Sequence, residues 1–365
     1  MKIEEYGLEK LAAPLLLWFA GHARALPWRE DVTPYRVWIS EIMLQQTRVE
    51  TVKPYFERFV EALPDVAALA GCKEERLLKL WEGLGYYNRV RNMQTAARCI
   101  MEEYGGRIPM YYEELLKLKG IGHYTAGAIA SIAYGMPVSA VDGNVLRVIS
   151  RAAGDDRDIM QQSVRANMEK QLNEVIPEGQ AGNFNQALME LGATVCLPNG
   201  EPKCEECPWK ELCIAKRDDL ICRIPVKSKP KKRKTEERTV FLIRDGDKVA
   251  LKKRPSKGLL AGMYEFLNVA GYLEREDVIS CVKEMGFTPL RVERLTDAKH
   301  IFSHVEWHMR GYMIRVEALD DAVREGQEFL FAESADFKEN YPLPSAFAAY
   351  AKHLNVFSGK KREPV

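Results

Sequence analysis

Three groups of residues in this sequence have the types and spacing to do chemistry. The first is Cys196-x7-Cys204-x2-Cys207-x5-Cys213, which places four of the chain's eight cysteines within eighteen residues. Thiolates this close read as metal ligands, and the spacing alone admits zinc as well as an iron–sulfur cluster. The second is a pair of carboxylates in unlike settings: Glu41 within Trp38-Ile39-Ser40-Glu41-Ile42-Met43-Leu44, and Asp142 within Val141-Asp142-Gly143-Asn144. A carboxyl group withdrawn from water has a raised pKa and can stay protonated near neutrality, as a general acid must. A glutamate on a helix surface is the plain alternative for Glu41. Asp142 suits a helix N-cap, or a negative charge facing a sugar that turns cationic in a transition state. The third group is Gly120-Ile121-Gly122, followed by His123-Tyr124-Thr125. Two glycines one residue apart let the backbone turn sharply. The amides opening the next helix then suit an anion such as a DNA phosphate, although a helix–helix turn can need glycine for sterics alone.

These side chains must be positioned by helices. Leu8 to His22 reads as an amphipathic helix with Leu11, Leu15, Trp18 and Phe19 inward. Arg24 to Arg29 reads as a loop, because Pro27 disfavours helix at Leu26. Tyr35 to Thr47 reads as a helix carrying Glu41, with Trp38 as a packing residue. Gln45-Gln46-Thr47-Arg48 ends it with polar groups able to reach base edges and phosphates. Trp81-Glu82-Gly83-Leu84-Gly85-Tyr86-Tyr87 is either a wedge for a base stack or a turn anchored by its tyrosines, with Arg89 and Arg91 following as phosphate contacts. Helices flank the glycine turn at Tyr112 to Lys119 and Thr125 to Tyr134. Val138 to Val141 reads extended and Val145 to Arg151 helical, so Asp142 and Asn144 lie on the loop between. Gln161 to Ile176 and Phe184 to Thr194 carry helical patterns up to the cysteines. Lys203, Lys210, Lys216 and Arg217 around the thiols are either a phosphate-binding surface or solvated charge.

The glycine hairpin followed by Val141-Asp142-Gly143-Asn144 resembles the endonuclease III superfamily of DNA glycosylases, and within it the adenine DNA glycosylases of the MutY type. The resemblance implies a multidomain chain: an all-α helix-hairpin-helix glycosylase domain with an iron–sulfur cluster loop, then an α+β Nudix-like domain. It implies that Glu41 protonates the adenine ring and that Asp142 stabilises the oxocarbenium-like sugar or captures it covalently. Tyr124 is expected to hydrogen-bond Asp142, and Asn144 to help place the sugar or the water. Bifunctional relatives carry a lysine where this chain has Tyr124, and its amine forms a Schiff base with the sugar. Tyrosine there implies a monofunctional enzyme that uses water. Gln46 and Tyr86 are expected to fill the duplex around the lesion. Arg24, Leu26, Trp28 and Arg29 are expected to meet the DNA or its flipped base, as are Thr47, Arg48 and Gln186. Leu84 and Gly85 join Tyr86 in that role, and Gly120 and Gly122 grip the backbone. The four cysteines are expected to hold a [4Fe–4S] cluster. Their first gap is one residue longer than the family pattern, and the extra residue falls in Leu197 to Lys203, a turn-forming loop that can absorb it.

Arg223 to Lys234 is basic, proline-bearing and poor in apolar residues, and reads as a linker over 223–236 that can also track phosphates. It would separate a glycosylase domain over 1–222 from a second domain over 237–356, with a tail over 357–365. From Thr239 the pattern changes to strands at Thr239 to Ile243, Val249 to Lys253 and Met309 to Val316. Helical segments follow at Asp277 to Met285 and Ser345 to His353. Gly258-Leu259-Leu260-Ala261-Gly262-Met263-Tyr264-Glu265-Phe266 and His300-Ile301-Phe302-Ser303-His304 resemble the family's Nudix-related domain. The helix from Asp277 lacks the clustered glutamates that a Nudix hydrolase needs for divalent metal, so binding is kept and hydrolysis lost. The resemblance implies that Ser303 contacts 8-oxoguanine, with Phe302 and His304 beside it. Phe302 as core and His304 as plain surface are the alternatives for those two.

A length of 365 residues suits two domains, and 46% hydrophobic residues is ample for their cores. The net charge of +1 excludes a uniformly basic coat, so charge that meets DNA must be local. No apolar run is long enough to span a membrane and Met1 to Lys10 is not a signal peptide; a bacterial cytoplasmic, nucleoid-associated monomer is expected. Its expected partners are double-stranded DNA with adenine opposite 8-oxoguanine, or opposite guanine, and the downstream enzymes that process abasic sites. A pyrimidine-lesion glycosylase-lyase would want lysine at position 124 and no Nudix-like domain. A silent DNA- or metal-binding module would lack Glu41 or Asp142.

Overall fold

The computed structural model describes residues 2–228, 232–317, 329–333, 336 and 340–354. The expected tail at 357–365 and residues 229–231 of the expected linker lie outside them. The chain forms two compact units, Met1–Cys72 with Asn88–Lys229, and Lys73–Tyr87 with Pro230–Val365. In chain order the helices that precede the strands are α1 (Ala12–His22), α2 (Pro27–Glu30), α3 (Pro34–Leu44), α4 (Val49–Ala62), α5 (Val66–Gly71), α6 (Glu74–Leu80) and α7 (Asn88–Glu103). They continue as α8 (Tyr112–Lys117), α9 (His123–Ala128), α10 (Gly143–Ala153), α11 (Gln162–Asn173), α12 (Ala181–Thr194) and α13 (Ile214–Arg217). All but α6 belong to the first unit. Among the described residues no helix is long and apolar enough to cross a membrane.

The first unit is all-α, and its core gathers the apolar faces of α1, α10 and α12. Leu11, Leu15, Trp18 and Phe19 are all buried, as their spacing requires, against Val148, Ile149, Phe184 and Leu188. The helix expected from Leu8 opens as a single 3-10 turn, Leu8–Leu11, before α1 begins. Arg24 to Arg29 is not all loop. Leu26 is extended at φ −131°, and Pro27 then opens α2, where its fixed φ and missing N–H cost nothing. The helix that carries Glu41 stops at Leu44, short of the expected Thr47, and Gln46 turns into the left-handed region at φ 57°. The carbonyls left open there are taken by Arg89, whose Nη1 donates to Ile42 O at 2.8 Å, Met43 O at 3.2 Å and Gln45 O at 2.6 Å. Arg89 therefore caps the end of α3.

The stretch expected to be linker is anchored at both ends. Ile224 is 2% exposed and its carbonyl accepts from Arg151 Nε at 2.8 Å. At the other end strand β1 (Lys234–Asp245) begins inside the expected 223–236, because it pairs in parallel with β6 (Val305–Val316) from Lys234 opposite Val305 to Arg244 opposite Arg315. With β2 (Lys248–Lys253), β3 (Tyr264–Ala270), β4 (Pro289–Arg294), β5 (Ala298–Ile301) and β7 (Phe329–Glu333) these form one mixed sheet in the order β4-β6-β1-β3-β2-β7, with β5 also pairing β6. Alternation along β1 sends Val240 and Leu242 to one face, against Trp307, Phe347 and Tyr350. Phe241 and Ile243 go to the other, against Val278 and Val282 of α14 (Arg275–Glu284). A sheet covered on both faces is what the mixed strand-and-helix pattern after Thr239 anticipates.

Candidate active site

In the first unit α2, α3, α9, α12 and the start of α10 enclose a cleft of about 570 Å³, within the range of small-molecule pockets. Glu41, Tyr124, Asp142 and Asn144 all line it. Glu41 lies on the inner face of α3 and is 5% exposed. Burial pushes its carboxyl group up to about 7, helped by the nearby negative charge of Asp142; the Tyr124 hydrogen bond and the Arg29 charge act the other way.

Asp142 is delivered by a pinned segment. Asn185 of α12 is fully buried; it accepts from Ala140 N at 2.9 Å and donates to Val138 O at 2.8 Å and Ser131 Oγ at 2.9 Å. Asn173 Oδ1 accepts from Ser139 N at 2.7 Å. Gly127 of α9 presses on the same segment, since a Cβ there would stand 2.1 Å from Ser139 O. Asp142 then caps α10: its Oδ1 accepts from Asn144 N at 2.9 Å and Val145 N at 2.8 Å, and its Oδ2 from Asn144 Nδ2 at 2.7 Å. Burial raises this carboxyl group, against those hydrogen bonds and the charge of Arg147. The capping and the chemical readings of Asp142 therefore describe one geometry. Arg147 Nη2 donates to Asn144 Oδ1 at 2.9 Å and its Nε to Cys196 O at 2.9 Å, so Asn144 is held from behind.

Tyr124 differs from expectation. Its hydroxyl donates to Glu41 Oε2, and no hydrogen bond to Asp142 is among those it makes. The packing explains this: α9 packs on α3, so the tyrosine meets the acid on that helix. Burial and the charges of Glu41 and Asp142 raise the Tyr124 phenol well above its ordinary range.

Cys196, Cys204, Cys207 and Cys213 line a second cavity of the same unit, with Val148, Leu191 and Trp209 in its walls. Among the described residues no three His, Cys, Asp or Glu side chains are grouped to hold a single metal ion. Arg151 Nη1 donates to Cys196 Sγ at 3.3 Å.

Residues 39–176 match the HhH-GPD superfamily of base excision DNA repair proteins, and residues 239–353 match the NUDIX domain. An adenine DNA glycosylase of Mus musculus is 34% identical over 84% of this chain and 70% of its own length. One from Buchnera aphidicola is 31% identical over 86% of this chain and 89% of its own. This chain belongs to the adenine DNA glycosylases. It is thus a DNA N-glycosylase of base excision repair, with a helix-hairpin-helix domain and a Nudix-like domain. A thermostable thymine-DNA glycosylase superposes on 57% of the chain and 97% of its own at TM-score 0.51 and 28% identity. An endonuclease III in a non-covalent DNA complex does so on 59% and 98% at TM-score 0.50 and 26% identity.

The remaining residues expected in an adenine DNA glycosylase divide by environment. Leu26 and Trp28 are buried in the cleft wall, and Gln46 and Thr47 lie at its edge. Arg24, Arg29 and Gln186 line it too: both arginines donate to Glu190, a residue with no distinguishing sequence signal, and Gln186 accepts from Arg29. Arg48 is exposed at the start of α4. Gly120 holds φ 82° beside Asn92, and Gly122 caps α9 with open space where a side chain would be. In the second unit Gly85 takes φ 70° and Tyr86 φ 50°; Leu84 is buried whereas Tyr86 is 46% exposed. Ser303 and His304 are exposed in the β5–β6 turn. Phe302 packs edge-on against Trp307 with ring centroids 4.9 Å apart, which is its core reading. Asn185 and Arg147 were missed, and the one signal available was a polar residue on an otherwise apolar helix face.

Proposed function

We propose that this chain hydrolytically excises adenine paired with 8-oxoguanine, or with guanine, from double-stranded DNA as a monofunctional glycosylase. The observation that carries the reading is the pairing of Glu41, poised at about 7 in a buried cleft, with Asp142, whose oxygens accept three N–H donors. These donors favour the ionised carboxylate, against the burial that raises it. Adenine stacked in a duplex must first be flipped into the cleft. Glu41 gives its proton to the adenine ring as the C1′–N9 bond breaks, and the bonding pair leaves with the base. Asp142 stabilises the cationic sugar or captures it, and water completes the hydrolysis with its proton returned to Glu41. Asn144, held by Arg147, fixes the Asp142 carboxylate. Tyrosine at 124 offers no amine for a Schiff base, which supports water as the nucleophile.

A [4Fe–4S] cluster fits Cys196, Cys204, Cys207 and Cys213. The donor set is four thiols around one apolar-walled cavity. When bound, the cluster would supply covalent cross-links that brace the cysteine segment. Ser303, exposed in its turn, is the proposed contact to the oxidised base, and Tyr86 and Gln46 the residues that fill the duplex. The abasic product would pass to enzymes that process such sites, and the chain would act as a monomer.

The test is single-turnover adenine release from a duplex with adenine opposite 8-oxoguanine, beside an A·C duplex and with Asp142→Asn and Glu41→Gln. Release by the unaltered protein alone, fastest opposite 8-oxoguanine and with no borohydride-trapped adduct, is expected. No release from folded, cluster-loaded protein would overturn the reading.

A further inference from the structure

The reaction above leaves a second buried acid in the same cleft without a role. Glu190 of α12 is 1% exposed and lines the cleft. It accepts from Arg24 N at 3.3 Å, Arg24 Nε at 2.5 Å, Arg24 Nη2 at 3.2 Å and Arg29 Nη2 at 2.9 Å. Four N–H donors match the acceptor capacity of one carboxylate, which leaves no place for a proton. Burial pushes Glu190 up, but the Arg24 hydrogen bond and both guanidinium charges bring it below the ordinary carboxylate range. Two carboxyl groups of one cleft are thereby held in opposite protonation states, Glu41 toward the acid and Glu190 as the anion.

Arg29 is immobilised by the same clamp. Its Nε donates to Gln186 Oε1 at 2.9 Å, its Nη1 to Arg24 O at 3.0 Å, and its guanidinium lies 5.4 Å from the centroid of the Phe19 ring. The charged or titratable groups that act on Glu41 are Tyr124 from α9, Asp142 ahead of α10 and Arg29 from α2. Arg29 is the cation among them, so where it rests and how far it is neutralised bear directly on the acid.

We propose that Glu190 is a positioning residue for base excision: it clamps Arg24 and Arg29 to α12 and leaves their wall with a single net positive charge, fixed beside Glu41. Two arginines less one carboxylate give +1; Glu190→Gln gives +2, Arg24→Gln gives 0, and Arg24→Gln with Glu190→Gln returns to +1. The inference rests on Glu41 being the acid.

The experiment follows single-turnover adenine release against pH, with full-length, cluster-loaded wild type and the three variants, which together sample three charge states. Thermal melting and cluster absorbance are recorded on each. Glu190→Gln should move the alkaline limb down by roughly half a pH unit, about a threefold loss relative to plateau at pH 8. The double variant should restore the limb, and Arg24→Gln should move it up. A destabilised but otherwise neutral change would lower melting without moving the limb, and that result overturns the proposal. If Glu190→Gln does not fold, Arg24→Gln decides: an upward shift supports the assignment and an unmoved limb overturns it. Wild-type protein with no limb near pH 7 removes the Glu41 reading and this one with it. A wild-type limb that no charge state moves removes this one alone.

Discussion

Tyr124→Phe removes one oxygen from the cleft, and its effect can be worked out in sign and size. The hydroxyl donates to Glu41 Oε2, a bond that favours the ionised carboxylate and holds the acid lower than burial alone would. A hydrogen bond to a charged group is worth about 1.5–3 kcal/mol net, and one pH unit corresponds to about 1.4 kcal/mol. Its loss should therefore raise the alkaline limb of single-turnover adenine release by roughly 1–2 pH units. Wild type should lose rate as pH rises through about 7, where Glu41 gives up its proton. The variant should hold its plateau beyond that point, at whatever absolute rate it shows. Wild type and variant are compared on the same duplex from pH 5.5 to 9. A limb that stays in place or falls in Tyr124→Phe refutes the hydrogen bond's part in setting the acid.

Four further outcomes follow. Glu41 should also appear in the stability of the fold. Its folded value of about 7 lies above the ordinary 4.5, so the native state holds the proton longer, and stability falls as pH rises from 4.5 through 7. That slope, roughly 3 kcal/mol in all, should flatten in Glu41→Gln when urea melts are repeated across pH. Asp142→Asn should keep the α10 cap, melt close to wild type, and lose about a thousandfold or more in adenine release, on the scale of other preorganised transition-state contacts. Asn185→Ala leaves Ala140 N and Val138 O without their partner, so it should cost about 2–3 kcal/mol in denaturant melts and slow excision through a misplaced Asp142. Ser303→Ala should reduce the preference for 8-oxoguanine over guanine by about fivefold, one hydrogen bond's worth, with A·G excision unchanged.

The sequence determined the local pieces because each is written in neighbouring residues. The spacing of Leu11, Leu15, Trp18 and Phe19 is a helical stripe, and those residues are buried together. The apolar run around Glu41 left burial and a helix surface both open, and Glu41 is buried; the glycine hairpin foretold its turn. Alternation along β1 assigned its two faces, while β3, β4, β5 and β7 were not read as strands; β4 and β7 are short edge strands, which carry little alternation. What tertiary structure alone decided is which polar groups share a partner. Tyr124 bonds Glu41 rather than Asp142 because α9 packs against α3. Arg89 closes the end of α3, and Arg24 and Arg29 share the buried carboxylate of Glu190. The four cysteines ring one cavity, while Asn185 and Arg147 brace the two sides of Asp142. Hydrogen bonds and ion pairs join residues more than a hundred positions apart, as Arg24 and Glu190 are. Their energy comes from being enclosed together, and no periodicity along the chain records that enclosure.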